Sequence, residues 1–387
     1  MTADSDFLYL DYAATTPLDP QVAQLMQEVH TSAFANAGST HRAGRRSAAV
    51  VGRAAVQLGA LLQADPDCFL WTSGATESNN LAIAGAAKIR AHRGKHLVTM
   101  RTEHKAVVDV FIALEKQGFE ISWLTPDANG HVSSEDFEAA LREDTQLASI
   151  MHINNETGVV QDIAALGAIC REHDVLFHVD GAQSVGKVHM DLDTLPVDLL
   201  SLTAHKFYGP SGIGALYIAD GVHIEPLMFG GGQQRRLRPG SLPVDLIAGL
   251  GAAAEVAGNR IDKDLEKFTT LREALWRGIQ DVGGLQINGS PDSGYPGILN
   301  VSVDDVEGES LLLALEPLCV AAGSACNSQS QEPSYVLRAL GRSDFEAQSA
   351  VRFSLGRPTT RADIDIAAAT YRNAVRKLRD MAPERVA

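Results

Sequence analysis

The chain has 387 residues, 45% hydrophobic and 21% charged, globular proportions that exclude a disordered chain, a collagen and a coiled coil. Its net charge of −15 runs against the basic face of a duplex nucleic-acid binder, so no direct nucleic-acid binding is expected. No apolar stretch reaches the ~18–20 residues that cross a bilayer, and the start MTADSDFLYL has neither a basic region nor an apolar signal core, so a cytoplasmic protein without membrane contact is expected.

Short apolar, β-branched runs alternate with helical stretches, the pattern of a parallel sheet wrapped by helices. Strands are predicted at 68–72, 95–100, 120–124, 147–153, 175–180, 198–204 and 215–219, with helices at 78–93 and 106–118. From about Val244 the texture becomes helical, and Leu265, Phe268, Leu271, Leu275 and Ile279 form one apolar stripe at three- and four-residue steps. Strands at 298–303 and 350–355 and a helix at 307–316 follow. The expected fold is α/β, with a large, mainly parallel seven-stranded sheet domain over 14–257. A smaller α+β domain is expected from 1–13 and 258–387.

Two nucleotide-like motifs are set aside. GAQSVGKV at 181–188 approaches a phosphate loop, but Val188 stands where a hydroxyl should meet magnesium. GLGAAA at 249–254 lies in a helical region with no strand before it. The histidines form no HExxH pair and no Cys/His cage, so no metal is expected.

A different constellation carries chemistry. SGATESNN at 73–80 follows a strand and opens a helix, an arrangement whose free amides suit a phosphate; an ordinary capped turn is the plain alternative. Asp180 ends the apolar strand VLFHVD, at the edge where open α/β sheets bind ligands. Lys206, in LTAHKFYG, is held between two strands, where desolvation makes a lysine a nucleophile toward carbonyls. An acid, a lysine and a phosphate cradle are what pyridoxal 5'-phosphate requires.

The segments LDYAATTPLDP, TSGATESNNLAI, TEHKAV, HINNETGVVQDI, HVDGAQSVGK, HKFYGPSGIGALY, GSAC and EPSYVLRALG resemble cysteine desulfurases, in order from Leu10 to about Thr360. These are class V pyridoxal-phosphate enzymes with the aspartate-aminotransferase-like fold of type I. The resemblance implies that Lys206 binds the cofactor covalently and moves the substrate's α-proton, that Asp180 pairs with the pyridine N–H, and that Gln183 meets the phenolic oxygen. It implies His104 stacked on the ring and assisting proton transfer, and Asn155 beside cofactor and substrate. Ala75, Thr76, Thr203 and His205 would hold the phosphate. Ser241, in RPGS, matches a family threonine that reaches the phosphate of a partner subunit, which implies a homodimer with shared sites. Arg352 would clamp the substrate carboxylate, with Arg357 a nearby competitor; a planar guanidinium fork suits that anion.

Of four cysteines, Cys68, Cys170 and Cys319 read as packed thiols, whereas Cys326 lies in a small, polar stretch, AAGSACNSQSQEPSYV. The resemblance implies that Cys326 takes sulfur from L-cysteine as a persulfide, leaving L-alanine, on the longer loop (about 322–334) found in one group of these enzymes. The acceptor would be a protein serving iron–sulfur cluster assembly, tRNA thiolation or DNA phosphorothioation. The short ending MAPERVA leaves a specialised pathway open. A selenocysteine lyase or an aminotransferase on the same fold is the alternative; a non-catalytic scaffold conflicts with the full set of site residues.

Overall fold

The computed structural model describes residues 7–322 and 332–381. In chain order, β1 (Leu8–Tyr9), α1 (Pro20–Ser32) and α2 (Arg42–Leu62) precede the alternating segment. That segment runs β2 (Phe69–Thr72), α3 (Ala75–Ile89), β3 (His96–Met100), α4 (Lys105–Glu115), β4 (Glu120–Leu124), α5 (Ser134–Ala139), β5 (Thr145–Met151), α6 (Ile163–Glu172), β6 (Leu176–Asp180), β7 (Leu199–Thr203) and β8 (Gly214–Ile218). Then come α7 (Val244–Gly258), α8 (Ile261–Ile279), β9 (Leu285–Ile287), β10 (Ile298–Val303), α9 (Gly308–Ala314), β11 (Leu318–Cys319) and β12 (Ala321–Ala322). Last are α10 (Tyr335–Ala339), α11 (Asp344–Gln348), β13 (Val351–Ser354) and α12 (Arg361–Met381).

The expected large sheet is present, in the order β2-β8-β7-β6-β5-β3-β4. Neighbouring strands are parallel except at β8, which runs antiparallel to both β7 and β2. Strands β3, β5 and β7 are buried along their whole length, as continuous apolar runs require when helices cover both faces. One core packs α2, α6 and α7 on one face, through Leu58, Cys170 and Leu250 among others. Another packs α3 and α4 on the opposite face, through Ile83 and Phe111. A third surrounds the small sheet β12-β13-β10-β9 and takes in Phe268, Leu275 and Tyr371 together with Leu10 and Ala13.

Three details differ from the expected elements. Helix α3 begins at Ala75 rather than 78, because Gly74 (φ 153°) turns the chain directly into it. Cys68 belongs to a single 3-10 turn, capped by Asp65 and started by Pro66, before β2 begins. Strand β5 stops at Met151, since Ile153 leaves the sheet to bridge Val160 across the Asn154 turn. The glycines of GLGAAA serve helix packing: a Cβ on Gly251 would lie 2.6 Å from Ala54 Cα, so α7 and α2 touch at their backbones.

The N-terminal segment stitches to the small sheet. β1 pairs with β11 in parallel; Ser354 N donates to Leu10 O at 2.7 Å, and Ala13 N donates to Ser354 Oγ at 2.9 Å.

Candidate active site

A cavity of about 520 Å³ opens where β5, β6 and β7 end and α3 begins. Ala75, Thr76, His104, Asn155, Asp180, Gln183, Thr203, His205, Lys206 and Arg352 all line it. Ser241 does not; it is exposed, in the connection before α7. Cys326 lies outside the described residues.

Asp180 is buried at the last position of β6. Asn79, on the first turns of α3, donates its Nδ2–H to Asp180 Oδ2 at 2.7 Å, and Ala182 N donates to Oδ1 at 2.9 Å. Both donors are neutral, and among the described residues no cation lies within ion-pair distance of this carboxylate. A buried carboxylate so placed calls for a cationic partner, which a protonated pyridine nitrogen would provide.

An anion could be held at the start of α3. Its N-cap is Gly74, with no side-chain hydrogen bond to the first turn, so the first-turn amides stay available to an anion. The side-chain-capped turn that stood as the plain alternative is not formed. Glu77 instead accepts Ser73 N at 2.6 Å and pairs with Arg238 at 2.9 Å. Thr203 Oγ1 lies beside the same turn, 3.6 Å from where a Cβ on Gly74 would stand, and donates to Ile213 O at 3.3 Å. His205 hydrogen-bonds Thr15 Oγ1 through Nδ1 at 3.1 Å. Burial, with Lys206 and Lys187 adding to it, pushes His205 down to about 4, so the ring is neutral at neutral pH.

Lys206 closes the 3-10 turn Ala204–Lys206 that follows β7 and donates to the carbonyls of Ala13 and Ala14 at 2.6 and 2.7 Å. Gln183 donates through Nε2 to the same Ala13 carbonyl at 2.8 Å. His104 caps α4, with Nδ1 accepting from Ala106 N. Arg352 reaches across from β13. It is buried, paired with Asp11 at 2.6 Å and donating to Asn155 O at 2.8 Å, while its Nε–H has no acceptor. The competitor Arg357 is engaged elsewhere, 2.7 Å from Asp264 and stacked 4.1 Å over Tyr208.

Sequence reasoning missed Asn79, Lys187 and the backbone carbonyls of Ala13 and Ala14. Asn79 had a signal: it stands one helical turn beyond Ala75, on the same face. The carbonyls had none, because their role depends on a contact across more than 190 residues.

Comparison with known proteins adds the following. The model of the family Aminotransferase class-V matches residues 8–366. The cysteine desulfurase IscS of Serratia proteamaculans is 50% identical over 381 residues, covering 97% of this chain and 94% of that protein. A solved NifS-like protein superposes with a TM-score of 0.90 at 32% identity, covering 96% of this chain and 100% of its own. SspA in complex with cysteine superposes with a TM-score of 0.81 at 38% identity, covering 90% and 98%.

Proposed function

The chain belongs to the aminotransferase class-V family and is a pyridoxal-phosphate-dependent cysteine desulfurase; from that premise we propose that the cavity around Lys206 is where sulfur leaves L-cysteine, and that Cys326 receives it. The observation that carries this reading is the meeting of Lys206, Asp180, Gln183, His104 and Arg352 around one cavity with an uncapped helix N-terminus.

The residues present fit pyridoxal phosphate. Asp180, oriented by Asn79, would hold the pyridine N–H. The first turn of α3, at Ala75 and Thr76, would hold the phosphate with Thr203 and neutral His205. Gln183 would meet the phenolic oxygen, His104 one ring face, and Lys206 the aldehyde carbon. When bound, the group supplies an electron sink for the substrate's α-carbon.

The chain's own groups do the rest. Arg352, already oriented by Asp11, binds the substrate carboxylate beside Asn155. Lys206 Nζ takes the α-proton and His104 assists its movement. The Cys326 thiolate attacks the substrate Sγ; the Cβ–Sγ bond breaks, the sulfur stays on Cys326 as a persulfide, and the three-carbon fragment takes up a proton and leaves as L-alanine. The other three thiols are poor candidates for this attack. Burial pushes Cys170 far up and raises Cys68 and Cys319, and the thiolate is the nucleophile.

The persulfide then passes to a protein sulfur acceptor. A homodimer is supported by the exposed connection that carries Ser241, where Phe229 is 88% exposed. That connection is tied through Arg238 to Glu77, beside the phosphate turn. Among the described residues no helix is long and apolar enough to cross a membrane. The three described cysteines are unpaired, which supports a reducing, cytoplasmic setting.

Lys206→Ala is expected to abolish the cofactor's visible absorbance and its trapping by borohydride. Cys326→Ser is expected to keep the colour and form no persulfide by mass spectrometry. A serine variant that desulfurates cysteine at the full rate would remove Cys326 from the mechanism.

A further inference from the structure

Lys187 stands four residues after Gln183 and is absent from the lining of the cofactor cavity. By area it is half-buried, but its amine faces inward. Nζ donates to Gln183 Oε1 at 2.5 Å and lies 5.7 Å from the centre of the Tyr295 ring. Gly186 makes this placement possible: it has φ 74°, and a Cβ there would lie 2.8 Å from the Cβ of Phe207, the residue after Lys206. Together Lys187 and Lys206 border a second cavity of about 20 Å³, room for about one water molecule.

Several titratable groups face Lys187. Burial, with the charges of Lys206 and Arg352 adding to it, holds its amine well below the usual lysine range. Tyr295 lies under it, and Tyr12, Tyr208, Asp264 and Arg357 complete the small cavity. Asp264 is committed to Arg357, and among the described residues no carboxylate lies within ion-pair distance of Lys187. Charged or neutral, the amine can donate to Gln183.

We propose that Lys187 is a positioning residue that fixes which way the Gln183 amide faces, so that its NH₂ group, not its oxygen, is turned toward Ala13, Lys206 and the cofactor cavity. An amide's two ends have nearly the same shape but opposite hydrogen-bonding character. Here the Ala13 carbonyl, which can only accept, selects one orientation, and the Lys187 amine reinforces it, most strongly when protonated and so donor-only. Lys187 donates to Oε1 on one side, and Nε2 donates to Ala13 O on the other. A flip would set the Gln183 oxygen against the Ala13 oxygen and the NH₂ against the lysine amine. Ala13 O also receives Lys206, so the two lysines are joined through Gln183 and one carbonyl. Lys187 thereby acts on the cofactor through Gln183, without touching it, and this rests on the pyridoxal-phosphate reading of the cavity.

A double-mutant cycle tests this. The readouts are the dissociation constant of pyridoxal phosphate, by titration of the cofactor-stripped protein, and the pH midpoint of the bound cofactor's visible band. Lys187→Met is expected to weaken binding roughly threefold to tenfold, the effect of about one net hydrogen bond, and to move the midpoint. Lys187→Arg, which keeps a donor, is expected to recover most of both. In a Gln183→Ala background, Lys187→Met is expected to change neither. Equal losses in both backgrounds, or an unmoved midpoint in Lys187→Met, overturn the proposal. If Lys187→Met does not fold, Gln183→Glu substitutes: a carboxylate there pairs with Lys187 and removes the donor, so wild-type binding by that variant overturns it too. A wild-type protein with no borohydride-trapped adduct at Lys206 overturns the functional reading itself, and this proposal with it.

Discussion

Glu156 shows how much a single side chain contributes near this site. It is buried, accepts Ser334 Oγ at 2.5 Å, and stands next to Asn155. Burial pushes its carboxyl up to about 7, against the opposing pull of Ser334, Arg352 and His104. A carboxyl whose folded value exceeds its unfolded one costs stability when ionised, and the cost disappears as pH falls through the folded value toward the unfolded one. Glu156→Gln imitates the protonated form. It is expected to raise unfolding free energy by up to about 3 kcal/mol at pH 8.5 and to change little at pH 5. Urea unfolding of both proteins at the two pH values checks this, and equal stabilities at pH 8.5 would show that the carboxyl ionises without penalty.

At the scale of elements, the turn from β2 into α3 is the proposed phosphate cradle. Gly74, at φ 153° and ψ 178°, sits in a region open almost only to glycine, where a side chain costs about 1–3 kcal/mol. Gly74→Ala is therefore expected to lower stability by about that amount and to weaken pyridoxal phosphate binding, read by urea unfolding and by equilibrium dialysis. An alanine variant with wild-type cofactor affinity would mean that the phosphate does not use this turn. The strands of the large sheet were legible because apolar, β-branched runs of four to seven residues have few alternatives when buried on both faces. Element ends were less so: whether a residue such as Ala75 opens the helix depends on the backbone angle of its neighbour. Asp180 and Lys206 could be read as site residues, since each ends or follows an apolar strand. Lys187 could not. In sequence it completes a near-match to a phosphate loop, and only the fold shows its amine against Gln183.

For the molecule as a whole, the exposed connection carrying Phe229 and Ser241 next to the phosphate turn predicts association. Sedimentation is expected to give twice the chain mass of 41.3 kDa. Phe229→Asp, which sets a charge on the most exposed large apolar side chain among the described residues, is expected to shift the protein toward single chains and to weaken cofactor retention. A monomer that keeps full colour and activity would exclude a shared site.

The Arg352–Asp11 pair joins residues 341 positions apart, and the carbonyls that receive Lys206 belong to the same N-terminal stretch. Closing so long a loop is slow, and it has a consequence for biosynthesis. In a nascent polypeptide the lysine is made well before β13, the strand to which its carbonyl acceptors are anchored. Vitamin capture in the finished geometry thus has to wait until synthesis has passed β13, and chains that stop before it lack both Arg352 and the anchor of the carbonyl acceptors.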